Sequence, residues 1–145
     1  MTPPRLTESI RQAALGPPEK AEASEGGFLK PGLPVWRRLY GLKEDFLAFQ
    51  GHFEGRPILP ALAQTLLAKD VAGELCPGLD FIETIVSAKF LGLVEPPAVV
   101  AVYAQPPSAE PGPGQWRFQL TTAQSGGPAS PAAVMRLELR VNHPC

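Results

Sequence analysis

Only two histidines occur in this 145-residue chain, and one of them, His52, lies in the stretch GHFEGRPILPALAQ, residues 51–64. Imidazole is the side chain that titrates near neutrality, so it can take up and return a proton at physiological pH. Gly51, Gly55, Pro57 and Pro60 make this stretch a loop, and the apolar run after Pro60 makes it a loop that feeds a helix. On these residues alone two readings stand: a surface loop that carries a histidine, or the lip of an active site. Other chemistry-bearing patterns are missing from the sequence. It contains no G-x-S-x-G elbow, no Walker loop and no dinucleotide fingerprint. The histidines and cysteines (His52, His143, Cys76, Cys145) lack metal-ligand spacing, so no metal is expected, and His143 reads as a surface residue at a strand end.

The elements around this loop must hold it. After Pro60, ALAQTLLAKDVAGEL (61–75) is built from good helix formers without proline, and Leu62, Leu66, Leu67, Val71 and Leu75 with the alanines make it apolar nearly all round. Such a helix is expected to be buried, and Pro77-Gly78 stops it. Upstream, LPVWRRLYGL and DFLAFQ are expected as two short strands around a turn at 41–44. Downstream, 81–94, 98–105, 115–124 and 133–142 have strand character and are separated by Pro/Gly loops. Trp116, Phe118 and Leu120 alternate with Arg117, Gln119 and Thr121, the pattern of a half-buried antiparallel strand. Of the 18 prolines, six lie before residue 35 and nine after residue 95, which leaves the middle as the regular core. The expected class is α+β, an antiparallel sheet wrapped around one long central helix. Residues 1–32 are expected as a flexible N-terminal tail carrying a short amphipathic helix (Leu6, Ile10, Ala14), and 33–145 as the single domain.

Composition narrows the function classes. A formal charge of −1 argues against a nucleic-acid footprint, which needs clustered Lys and Arg. The apolar stretch 58–68, broken by Pro60, Gln64 and Thr65, is too short to enter a membrane as a spanning helix. No apolar signal block opens the chain, so a cytoplasmic location with reduced Cys76 and Cys145 is expected.

The motif GHFEGRPILPAL resembles the signature of the hot-dog fold 3-hydroxyacyl-acyl-carrier-protein dehydratases, G-H-F-P-G-x-P-x-x-P-G-V at the start of the central helix. Gly51, His52, Phe53, Gly55, Pro57 and Pro60 match it, and the order of elements over 33–142 agrees. The resemblance implies a hot-dog fold and dehydration of a 3-hydroxyacyl thioester in fatty acid or polyketide-like biosynthesis. The acyl group would be carried on phosphopantetheine of acyl carrier protein or CoA, with no bound cofactor, and the site would be completed across a homodimer. It implies that His52 is the base and that the backbone N–H of Ala61, at a position where the family has glycine, binds the thioester oxygen. Phe53, Gly55, Pro57, Pro60, Gln64 and Leu66 would line the substrate. Gln64, polar near the start of a buried helix, is expected to hydrogen-bond.

Two departures matter. The family's helix carboxylate falls fourteen residues after the histidine, where this chain has Leu66. Asp70, one turn on and on the same face, is a candidate displaced acid or a solvated carboxylate. Glu54 replaces a proline and could pair with Arg56. Arg37, Arg38, Arg56 and Lys89 are the candidates for meeting an acidic carrier protein. Whether the chain turns over is left open by Leu66; the alternatives are a non-catalytic acyl-thioester-binding or partner subunit, and a hot-dog thioesterase.

Overall fold

The strand pattern of the sequence is realised as one six-stranded antiparallel sheet. The computed structural model describes residues 3–22, 27–49, 57–124 and 126–141. In chain order the elements are helix α1 (Pro3–Ala13), β1 (Glu19–Ala21), β2 (Val35–Leu42), a 3-10 turn (Leu47–Phe49), helix α2 (Ala61–Leu75), β3 (Leu79–Phe90), β4 (Ala98–Gln105), β5 (Gly114–Ala123) and β6 (Ser130–Val141). The sheet order is β1-β2-β4-β5-β6-β3, so β1 and β3 are its edges. An antiparallel sheet wrapped round one central helix is the hot-dog fold, as expected from the sequence.

Alternation decides which residues face the helix. Trp116, Phe118 and Leu120 of β5 and Met135, Leu137 and Leu139 of β6 are buried, and they join Val100 and Val102 of β4 in one core. Against them α2 sets Ala63, Leu67, Ala68, Val71 and Ala72. The alanines let the helix lie close to the sheet, while the leucine and valine fill the space between sheet side chains. The helix is not buried all round: Leu62 and Glu74 are exposed. It ends where Cys76 turns extended (φ −144°, ψ 91°) ahead of Pro77-Gly78.

Three expectations are corrected. The segment DFLAFQ is not a strand; it holds the 3-10 turn, because Phe46 and Phe49, three apart, must both enter the core, where their rings meet edge to face at 5.9 Å. The N-terminal segment does more than trail. Ile10 of α1 is buried and Leu6 packs beside it, a contribution of about 1.5–3 kcal/mol for a fully buried Ile. Past α1 the Leu15 amide donates to Leu39 O at 2.8 Å, and β1 pairs with β2. The side chain of Gln105, itself buried, accepts from the Lys30 amide (2.8 Å) and donates to Lys30 O (2.7 Å) and Leu33 O (3.3 Å), fastening that stretch to the end of β4. Finally, Cys76 is buried and disulfide-bonded rather than a free thiol. Among the described residues no helix is long and apolar enough to cross a membrane, and no cluster of metal-ligand side chains occurs.

Candidate active site

The N-cap of helix α2 is Pro60, extended (φ −73°, ψ 160°), whose side chain is apolar and makes no capping hydrogen bond. The first intrahelical bond runs from the Gln64 amide to Pro60 O at 3.1 Å. The amides of Ala61, Leu62 and Ala63 therefore have no intrahelical acceptor and, with the helix dipole, favour negative charge. Ala61 is exposed, and its neighbour Leu62 is 66 % exposed. The Leu59 amide donates to Val94 O at 2.9 Å, which fastens the entry of α2 to the segment following β3. That segment is in turn held to β6 by Leu91 N–H donating to Ala132 O (2.9 Å). Gly92 is required there, since a Cβ would meet Pro131 O at 2.8 Å.

Gln64 is 4 % exposed, and its Nε2 reaches back to donate to Leu59 O at 3.3 Å. Its Oε1 has no partner among the described residues. Thr65, also buried, donates its hydroxyl to Ala61 O at 3.0 Å. Leu66 is half-buried and faces α1, lining with Thr7 and Ile10 a cavity of about 140 Å³ that Asp70 and Glu74 also line. A larger cleft of about 530 Å³ lies between α1 and the end of β2, but Glu8, Ser9, Lys43 and Asp45 on its walls include none of the residues singled out from sequence.

Asp70 is where the structure adds most. Its Oδ2 accepts from Arg38 Nη1 at 2.9 Å and from the Tyr40 hydroxyl at 2.5 Å. The Arg38 and Asp70 side chains are both about nine-tenths buried. Arg38 Nε also donates to Gly16 O at 2.8 Å, and Nη2 stands 3.9 Å from Glu74. Burial, and then the neighbouring Asp70 carboxylate, hold the fully buried Tyr40 phenol well above its usual range. A charged hydrogen-bonded cluster thus bolts β2 to α2, with the turn after α1 included. Arg38 is spent inside this cluster and is not on a surface that could meet a carrier. Tyr40 was missed from the sequence. The available signal was Arg38 and Tyr40 sharing with Leu42 the core-facing parity of one strand, opposite a lone aspartate in an apolar helix.

The remaining site residues scatter or fall outside view. His52, Phe53, Gly55 and Arg56, with Glu54, lie outside the described residues. Pro57 and Pro60 are half-buried at the entry to α2. Arg37 lies on the sheet face opposite Arg38, and Lys89 is exposed on β3. The register Arg37–Tyr103–Gln119–Val134–Lys89 puts these two cations four strands apart, roughly 19 Å, so they do not form one patch.

A family model described as ApeI-like, for ApeI dehydratase, matches residues 37–141. The chain belongs to the ApeI-like family. The match begins in β2 and ends with β6, so it contains the loop of His52, the bare helix start and Asp70. Solved structures agree on the fold. A protein of Erwinia carotovora subsp. atroseptica described as uncharacterized superposes with a TM-score of 0.68 at 19% identity, covering 90% of this chain and 96% of that one. The dehydratase heterocomplex ApeI:P from Xenorhabdus doucetiae gives 0.61 at 19% identity, with 86% and 99% covered. The dehydratase domain from the CurK module of curacin polyketide synthase gives 0.54 at 10% identity, with 84% and 42% covered. No curated protein matches the chain.

Proposed function

We propose that this ApeI-like protein acts on 3-hydroxyacyl thioesters, carried on phosphopantetheine, as a dehydratase. The observation that carries the reading is the uncapped start of α2 directly after the His52 loop. His52 would remove the C2 proton; that electron pair becomes the C2–C3 double bond as the C3–O bond breaks, and the leaving hydroxide takes the proton from the His52 imidazolium to depart as water. The amide of Ala61 would hold the thioester oxygen as charge develops on it; the backbone donor is the same for alanine as for glycine. Asp70 does not enter as the acid in this scheme. Its Oδ2 is occupied by the Arg38 and Tyr40 donors, and its part is to hold α2 against β2.

The sheet supports a homodimer as the assembly. β3 is a twelve-residue edge strand with Ile85, Val86 and Phe90 exposed, followed by exposed Leu91 and Leu93. A long apolar edge invites another strand, and pairing with a second copy closes as a two-fold dimer. The Leu59–Val94 bond puts the helix start beside that edge, so a partner chain would border the site. One observation favours a variant of this reading: Leu66 stands where the resemblance calls for a carboxylate, so the missing acid would come from a non-identical partner, as the name of the ApeI:P heterocomplex allows. Acyl carrier protein remains the proposed donor of substrate, with Arg37, Arg56 and Lys89 as separate candidate contacts.

The test is turnover of a 3-hydroxybutyryl thioester, followed by the absorbance of the conjugated product. Wild-type activity lost on His52→Ala by roughly 10²–10⁴-fold or more supports the reading. A protein silent alone but active when mixed with a carboxylate-bearing ApeI-like subunit supports the heterocomplex. Turnover undiminished by His52→Ala refutes the mechanism.

A further inference from the structure

The acyl-binding end of α2 carries one atom that none of the foregoing uses. The Oε1 of Gln64 is shielded from solvent and has no hydrogen-bond partner among the described residues, although the side chain is ordered by its own Nε2, which donates to Leu59 O. Leu59 O is an acceptor, so it fixes which end of the amide is nitrogen and leaves the oxygen as the orphan. Leaving a buried acceptor unmatched costs about 1–3 kcal/mol, and an apolar side chain at this position would avoid that cost. The side chain folds back to the residue before the N-cap, so its carbonyl lies beside the first turn of α2. There the amides of Ala61, Leu62 and Ala63 present only donors.

This end of the helix therefore offers two complementary functions side by side: backbone donors for an acceptor, and one side-chain acceptor for a donor. A 3-hydroxyacyl thioester has that pair in one short unit, since its carbonyl oxygen accepts and its 3-hydroxyl, two carbons along, donates. We propose that Gln64 Oε1 accepts the hydrogen bond of the substrate's 3-hydroxyl group, making Gln64 the residue that selects hydroxylated acyl chains over saturated and oxidised ones. The inference rests on the dehydratase reading above and assigns to a single atom the recognition of the group that leaves. A site built to receive a hydroxyl discriminates strongly against an analogue lacking it, because its own polar group is then left unpaired.

The experiment measures binding to the full chain by titration calorimetry, using pantetheine amide analogues in which nitrogen replaces sulfur. An amide acidifies C2 far less than a thioester, so the ligands are bound and not converted. Three acyl groups are compared: 3-hydroxybutyryl, butyryl and 3-oxobutyryl, against wild type and Gln64→Met. Wild type should prefer the hydroxy ligand by about 10-fold or more over both others, and Gln64→Met should bring the three within about 3-fold of one another. Methionine keeps the length and removes the orphan acceptor, but it also removes the donor to Leu59 O; the two effects oppose each other, so the melting temperature of the variant is measured alongside binding to show that it is folded. A preference retained by Gln64→Met overturns the proposal. So does an equal loss of all three ligands, which would place the contact on the pantetheine part. Should the variant fail to fold, equal wild-type affinity for the hydroxy and oxo ligands overturns it without any substitution. Wild type that binds none of the three overturns the dehydratase reading itself, a result distinct from loss of discrimination.

Discussion

Replacing Asp70 by alanine tests whether the cluster beneath α1 is a structural bolt. The substitution removes the carboxylate that both Arg38 and Tyr40 donate to, at 2.9 and 2.5 Å. It leaves a guanidinium whose side chain is 10% exposed with, among the described residues, Gly16 O at hydrogen-bond distance and Glu74 at 3.9 Å, and a fully buried phenol without its acceptor. Breaking a buried pair from one side costs about 3–5 kcal/mol, several times the 0–1 kcal/mol of a solvated pair. With a urea slope of about 2 kcal/mol/M, the unfolding midpoint should fall by roughly 2 M. The companion measurement is the triple change Arg38→Met, Tyr40→Phe and Asp70→Leu. It removes every uncompensated polar group of the cluster except the Gly16 carbonyl, so it should cost less than Asp70→Ala alone. An Asp70→Ala loss below about 1 kcal/mol would show the pair to be solvated, and a triple variant less stable than the single one would refute the account based on uncompensated burial.

Two further outcomes follow from the same structure. Tyr40 has its phenol pKa raised by folding, so its contribution is whole below the unfolded value of about 10 and is lost as pH rises above it; the stability gap between wild type and Tyr40→Phe, from urea melts at pH 8 to 11, should shrink by up to about 1.4 kcal/mol per pH unit above pH 10. A constant gap across that range contradicts the sign of the shift. Charging the free edge with Ile85→Lys and Phe90→Lys should give a monomeric mass by light scattering while the fold persists, because both side chains are exposed in the single chain. An unchanged dimer mass would move the interface elsewhere.

Much of this protein is written in local periodicity. The run without proline between Pro60 and Pro77 sets α2, and the two-residue alternation of Trp116, Phe118 and Leu120 sets which face of β5 is buried; both depend on neighbours in the chain, so a one-dimensional reading suffices. The motif around His52 carries the family in the same way, through spacing alone. The aromatic residues of 46–49 misled because a four-residue apolar stretch suits a strand or a turn equally; the choice fell to the core that Phe46 and Phe49 both had to reach. The amphipathic pattern of Leu6, Ile10 and Ala14 is enough to expect a helix near the start of the chain, but whether Ile10 finds a hydrophobic seat is decided by the helix it lands on. Asp70 and Arg38 show the limit most clearly. Each was a surface or site candidate in the sequence, and only the packing of β2 against α2, 32 residues apart, made them partners. A charge carries no record in the sequence of the charge it will meet, because that meeting depends on the sheet and helix first burying their apolar faces together.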